Sequence, residues 1–176
     1  MTELTPGTWP LDPTHTSASF TVRHAGISKV RGSFGEVEGA LTVAEGGQDL
    51  AFTATLQTAS VDTGNADRDG HLRSGDFFDA EKNPTITFTS TEHSGDELTG
   101  DLTIAGVTKP VTLDLSYEGA ATDPFGTYRC GFTAETKISR KEFGLTWNAA
   151  LEAGGVLVSD EVKIAIEAEF VAPTAA

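Results

Sequence analysis

The sequence predicts an all-β domain of about eight antiparallel strands. Three observations carry this expectation: a hydrophobic period of two along most of the chain, strands with one apolar and one polar face, and turn-forming clusters between them. The chain has 176 residues. That length fits one domain spanning 1–176, with a core of about 9–170. Roughly 70% of the unfolded surface is buried when a chain of this size folds, which is enough for a hydrophobic core.

The strands follow in order. Ala18, Phe20, Val22 and His24 share one face of the first, and Ser19, Thr21 and Arg23 take the other. Val37, Gly39, Leu41 and Val43 alternate with Glu36, Glu38, Ala40 and Thr42. Leu50, Phe52, Ala54 and Leu56 alternate with Ala51, Thr53, Thr55 and Gln57. Ile86 and Phe88 repeat the pattern, as do Leu98, Gly100, Leu102 and Ile104, then Val111, Leu113, Leu115 and Tyr117. Tyr128, Cys130, Phe132, Ala134 and Ile138 form the seventh run; Val162, Ile164, Ile166, Ala168 and Phe170 form the eighth. A strand wet on one face belongs to an antiparallel sheet, because parallel strands are covered on both sides. Turn signals fall at Glu45-Gly46-Gly47, Ser94-Gly95-Asp96, Ala105-Gly106, Asp123-Pro124 and Gly154-Gly155.

Two stretches break the rhythm, so one or two short helical segments are expected. Asn65 to Ser74 reads as a short helix or an ordered loop. Lys141 to Ser159 places Phe143, Leu145 and Trp147 at alternate positions before Ala149–Ala153, a pattern open to an irregular strand or a short helical turn. Pro173 to Ala176 is expected to be loose. Periodicity does not separate a sandwich from a barrel, since each buries one face. Gly39 and Gly100 on inward faces favour curvature or space inside the sheet.

The net charge is −14. Nucleic acid and anionic membrane surfaces attract Lys and Arg, so this balance argues against both; acidity also keeps a protein soluble. Cys130 is the sole cysteine, which excludes an internal disulfide and a thiol metal cluster within one chain. Its alternating strand makes it a small buried hydrophobe. Met1 to Leu11 lacks the basic start and apolar run of a signal peptide, and no segment approaches the roughly 18 apolar residues of a membrane span. Both facts predict a cytoplasmic protein without a membrane span.

Catalytic signatures are thin. There is no Gly-x-Ser-x-Gly elbow, no glycine-rich loop leading from a strand into a helix, and no His near Cys130. No catalytic residues are assigned. The acids Asp67, Asp69, Asp76 and Asp79 suit Asx turns. His15, His24 and His71 would meet only at a shared rim, and their spacing matches no zinc motif, so no metal site is expected.

The most specific signal is an ordered series of short motifs. Trp9-Pro10-Leu11-Asp12-Pro13-Thr14-His15-Thr16-Ser17 leads into Phe20-Thr21-Val22-Arg23-His24 and Lys29-Val30-Arg31-Gly32-Ser33-Phe34. Ser60-Val61-Asp62-Thr63-Gly64 precedes Arg68-Asp69-Gly70-His71-Leu72-Arg73-Ser74-Gly75-Asp76-Phe77-Phe78-Asp79, the strongest single piece. Asn83-Pro84-Thr85-Ile86-Thr87-Phe88, Gly100-Asp101-Leu102-Thr103-Ile104-Ala105-Gly106-Val107-Thr108-Lys109-Pro110-Val111 and Ile138-Ser139-Arg140-Lys141-Glu142-Phe143-Gly144 follow. From about Trp9 to Glu169 the chain resembles the YceI-like family of polyisoprenoid-binding, lipocalin-like proteins. The resemblance implies an extended eight-stranded antiparallel barrel around a lipid-filled pore. It implies a bound isoprenoid lipid with a polar head, a diphosphate or a quinone, near the mouth. It implies no established catalytic activity and no required cofactor. Many members are exported.

An isoprenoid tail needs an apolar wall without hydrogen bonds, since each buried CH₂ is worth about 0.8 kcal/mol. Strand parity nominates Phe20, Val22, Phe52, Phe88, Leu102, Ile104, Leu113, Phe132, Ile138, Ile164 and Ile166, which would otherwise pack against one another. A diphosphate head needs Arg forks or backbone N–H groups. Bases cluster at Arg68, His71 and Arg73, and again at Lys137, Arg140 and Lys141, while Lys29 and Arg31 flank one turn. Arg68, His71, Arg73, Arg140 and His24 are therefore the head candidates. Their plain alternative is pairing with Asp67, Asp69, Asp76, Asp79 and Glu142 to hold loops. The expected function is carriage or sequestration of a long isoprenoid lipid. The alternatives are an enzyme acting on a lipid-like substrate, with His24 as its titratable group, and a structural or stress-related barrel with a solid interior. A homodimer through a sheet edge or apolar patch is compatible with either.

Overall fold

Alternation of apolar and polar side chains drives most of the chain into one antiparallel sheet. The structure, a computed structural model, describes residues 4–174. Its strands are β1 (Gly7–Pro10), β2 (Ser17–His24), β3 (Ser28–Phe34), β4 (Val37–Val43), β5 (Leu50–Gln57), β6 (Val61–Asp62), β7 (Thr85–Ser94), β8 (Glu97–Ile104), β9 (Val107–Thr122), β10 (Tyr128–Ser139) and β11 (Val158–Val171). They lie in the order β1-β4-β5-β7-β8-β9-β10-β11-β2-β3-β6. The sheet curls until the chain just past β1 meets β11. There Leu11 bridges Phe170, the Leu11 N–H donates to the Gly39 carbonyl at 3.0 Å, and the Asp12 N–H donates to the Glu169 carbonyl at 2.8 Å. β3 is joined to β6 only at Ser33 and Phe34, so the other edge stays largely open.

Eleven strands replace the eight expected. The eight periodic runs became β2, β4, β5 and β7 to β11. The three additions lack the signal for physical reasons. β1 is four residues ending in proline, and β6 is two residues. β3 carries Gly32 between Val30 and Phe34, which interrupts its apolar face. Lys29 and Arg31, read as flanking a turn, are exposed residues of β3. One continuous sheet excludes the sandwich.

The stretch at 65–74 is a helix, α1 (Ala66–Arg73). The Asn65 side chain caps it by accepting from the Arg68 N–H at 3.0 Å. Asp67 and Asp69 sit in its first turn and His71 and Arg73 in its last, as the helix dipole favours. The undecided stretch opens as a 3₁₀ turn, Arg140–Phe143. It continues without a named strand to β11, apart from a bridge between Ala150 and Val156. The tail is not loose at Pro173, which is half-buried and lies against Gly7. Ala175 and Ala176 lie outside the described residues, as do Met1 to Glu3 of the stretch read for a leader.

The interior is divided between two clusters. At one end Trp9, Leu41, Val43, Leu50, Phe52, Cys130, Phe132 and Phe170 are packed solidly. Trp9 is wholly buried, and its Nε1–H donates to the Thr5 carbonyl at 2.9 Å. Cys130 is a buried hydrophobe, and burial pushes its thiol up to about 12. At the other end Ile86, Leu102, Ile104, Phe143 and Leu145 form a smaller cluster. The inward glycines leave no void. A Cβ on Gly100 would strike the Phe88 ring, and one on Gly39 would strike the Thr53 carbonyl oxygen. The neighbouring strands already use that space.

Candidate functional site

Between the two clusters lies a cavity of about 440 Å³. It falls in the size range of small-molecule pockets, about 300–1,000 Å³. All eleven tail candidates border it: Phe20 and Val22 on β2, Phe52 on β5, Phe88 on β7, Leu102 and Ile104 on β8, Leu113 on β9, Phe132 and Ile138 on β10, and Ile164 and Ile166 on β11. Strand parity explains this: each faces inward because its neighbours in sequence face water. The inner end is floored by phenylalanines. Phe52 lies 5.2 Å from Phe132 and 5.9 Å from Phe170, ring centre to ring centre, and Phe132 lies 6.2 Å from Phe170. The chain therefore encloses a blind tunnel, plugged at the Trp9 end.

The open end lies where β2 finishes, α1 passes and the segment after Arg140 returns to β11. Arg23, His24 and Arg68 line the cavity there and are also exposed to water. The Arg68 Nε–H donates to Thr63 Oγ1 at 2.7 Å, and Nη2 donates to the Thr63 carbonyl at 2.8 Å. Those two bonds fix its fork and leave Nη1 free to meet an anion. The His71 ring meets Trp147 at 4.6 Å and Phe77 at 5.0 Å, both edge-on, and its Nε2 lies 2.9 Å from Asp76 Oδ2.

Two head candidates are placed differently. Arg73 does not border the cavity. Arg140 borders it but is 4% exposed and is committed to four carbonyls. Its Nε donates to Ser159, Nη1 to Leu145 and Trp147, and Nη2 to Val158, at 2.6–3.1 Å. Burial lowers its pKa, with Asp160 opposing. Arg140 thus ties the returning segment to the start of β11. Asn148 does the same: its Nδ2 donates to the Val158 carbonyl at 2.7 Å and its Oδ1 accepts from the Val158 N–H at 3.0 Å. Of the proposed pairings with nearby acids, His71 makes one, with Asp76.

The sequence reading missed the aromatic rim of Phe77, Phe78 and Trp147. The signal was present as adjacent phenylalanines between Asp76 and Asp79, an apolar pair with no strand to hold it. The imagined three-histidine rim does not form. His24 and His71 border the cavity, but His15 groups with Asp12 and Glu169 at the plugged end. Arg129 pairs with both carboxylates of that group, its Nη1 2.6 Å from Asp12 and 3.0 Å from Glu169. Each of the two carboxylates thus already has a cation beside it. Among the described residues, no helix is long and apolar enough to cross a membrane.

The profile of the YceI-like domain family matches residues 9–170. The chain belongs to the YceI-like family. It is 38% identical over 164 residues to a UPF0312 protein of Staphylococcus epidermidis, covering 90% of this chain and 94% of that one. It is 42% identical over 158 residues to a UPF0312 protein of Pectobacterium carotovorum, covering 87% and 80%. Among solved structures, a YceI protein of Campylobacter jejuni superposes with a TM-score of 0.74 at 32% identity, covering 86% of this chain and 90% of that one. A polyisoprenoid binding domain from Saccharophagus degradans, implicated in plant cell wall breakdown, superposes with a TM-score of 0.71 at 16% identity, covering 94% and 98%. The second likeness is one of fold.

Proposed function

We propose that the tunnel holds a long isoprenoid lipid, tail against the phenylalanine floor and head at the rim. The observation that carries this reading is the tunnel itself: one apolar cavity, closed at one end, with its charged lining residues at the other. The polyisoprenoid binding of the Saccharophagus degradans domain, on the same fold, supports it. Water inside such a wall would find few partners, whereas a prenyl chain needs none. At about 0.8 kcal/mol per buried CH₂, each five-carbon unit contributes a few kcal/mol gross. Arg68, His71 and His24 face the head, with Arg68 supplying charge-assisted donors to a diphosphate. Alternatively, the faces of Phe77 and Trp147 offer a flat quinone ring a stacking surface.

Binding without turnover fits this geometry. Catalysis would require a proton-transferring group held beside a reacting bond. Among the described residues the His71 ring hydrogen-bonds only to Asp76, with no nucleophile on its other nitrogen, and no hydrogen bond fixes the His24 ring. The protein purified without detergent should retain a prenyl lipid, released by organic solvent and identified by mass spectrometry. An empty protein that also fails to take up a prenyl diphosphate or a prenyl quinone would end the carrier reading.

A further inference from the structure

The β2–β3 hairpin stands at the mouth and has a composition unlike the rest of the chain. From Pro13 to Gly35 it carries Arg23, Lys29 and Arg31 and no acid, in a protein of net charge −14. Arg23 and Lys29 face each other across the hairpin. All three bases are exposed, and none pairs with a carboxylate among the described residues. The nearest acids of the adjoining strand are engaged: Asp160 accepts from Ser139 Oγ and the Lys141 N–H, and Glu161 pairs with Lys137. At the hairpin tip Ile27 is 83% exposed, and Val156 on the returning segment is 51% exposed. The tip is fastened to that segment by the Ala25 N–H donating to the Leu157 carbonyl at 2.7 Å.

We infer that this hairpin docks the mouth onto an anionic phospholipid bilayer. The inference rests on the lipid-carrier reading for its purpose, because a prenyl chain resides in bilayers and gains nothing by crossing water. An apolar tip with bases on one face of the strands behind it suits the headgroup boundary: Ile27 and Val156 enter it while Arg23, Lys29 and Arg31 meet the phosphates. The net charge does not forbid this contact. β11 alone is 14 residues long, roughly 45 Å at a strand's rise, whereas surface charges are screened beyond about 8 Å at physiological salt. Acids at the plugged end therefore do not reach the hairpin; of the acids on the elements around the mouth, Asp69 accepts from Thr63 and Asp76 pairs with His71, while Asp67 and Glu152 stay exposed. Phe125 is more exposed than Ile27, at 93%. It stands at that plugged end beside Asp123 with no base in its own turn, so exposure alone does not select a docking tip.

The experiment is sedimentation of the full chain with vesicles of equal parts phosphatidylcholine and phosphatidylglycerol. Phosphatidylcholine alone is the comparison, and lipid content is measured on the same protein. The mixed vesicles should bind the protein, and high salt should release it. Lys29→Gln with Arg31→Gln should weaken binding about 25-fold, at about fivefold per charge. Ile27→Asp should abolish it, and Phe125→Asp should leave it unchanged. None of these side chains borders the cavity, so lipid content should be unaffected. Docking by a protein that holds no prenyl chain sustains the surface and removes its proposed purpose. A lipid-loaded protein that ignores both vesicles, binds them equally, or loses binding through Phe125→Asp overturns the docking surface. Self-association in solution that Ile27→Asp abolishes also overturns it, by making the hairpin a contact between copies.

Discussion

Gly32 and Gly39 show how one missing methyl shapes the tunnel. Gly32 lies opposite Phe20 in the β2–β3 register, and a Cβ there would strike the Phe20 ring and crowd the Thr63 methyl. That ring is the free end of a side chain bordering the cavity, so it can swing inward. Gly39 is different, because its Cβ would meet the Thr53 carbonyl, which the sheet holds in place. Gly32→Ala should therefore change stability by less than about 1 kcal/mol but lower the retained lipid by pushing Phe20 into its space. Gly39→Ala should cost about 1–3 kcal/mol, the usual cost of overpacking, and leave lipid per folded molecule unchanged. Urea unfolding and lipid extraction measure the two effects side by side. The reverse ranking would show that Phe20 is not part of the lipid's wall.

Among the elements, the plugged end is held by charge as well as by packing. Arg129 bridges Asp12, Asp123 and Glu169 at 2.6, 2.8 and 3.0 Å, tying the β1 exit, the β9–β10 turn and β11 together. The Thr14 hydroxyl, His15 and Arg129 hold the Asp12 carboxyl well below the usual carboxylate range. The Thr127 N–H and Arg129 do the same for Asp123, while Asp12 raises His15. A lowered carboxyl contributes stability above its unfolded pKa, near 4, and loses it as pH falls through the folded value. The raised His15 contributes below about 6.5 and loses its share as pH rises through its folded value. Melting temperature should thus be highest between about pH 4 and 6.5 and fall on both sides. Asp12→Asn should flatten the alkaline limb and blunt the acid one; an unchanged profile would place the titrating groups elsewhere. None of this network was read from the sequence: Asp123 and Arg129 are six residues apart across one turn, but Asp12 and Glu169 join them only once the sheet has formed and curled. Local periodicity did show the eight long strands and the inward parity of all eleven wall residues. It failed where long-range partners decide: at two-residue β6, at the Gly32 face of β3, and at Arg140, whose four carbonyl partners sit five to nineteen residues further on.

For the whole molecule, the division between solid core and hollow sets what the protein can hold. Phe132 sits on that boundary, 3% exposed and packed on Tyr117 and Phe52, each at 5.2 Å between ring centres, while still bordering the cavity. Removing the ring outright, as in Phe132→Ala, would cost about 3–5 kcal/mol, a large share of the roughly 5–15 kcal/mol that holds a domain together. Phe132→Leu is gentler, at about 1–2 kcal/mol, which lowers the melting temperature by a few degrees in a chain of this size. It should also deepen the tunnel toward the Trp9 end, so the variant should retain longer prenyl chains than the parent. Added long-chain prenyl lipid should recover the lost melting temperature, since a ligand at about 100 times its Kd stabilises by about 2.7 kcal/mol. Mass spectrometry of extracted lipid and thermal unfolding with and without that ligand read both effects. Should Phe132→Leu lose stability yet keep the same chain-length distribution, the floor does not measure the tail, and tail length is set at the rim by Phe77, Phe78 and Trp147.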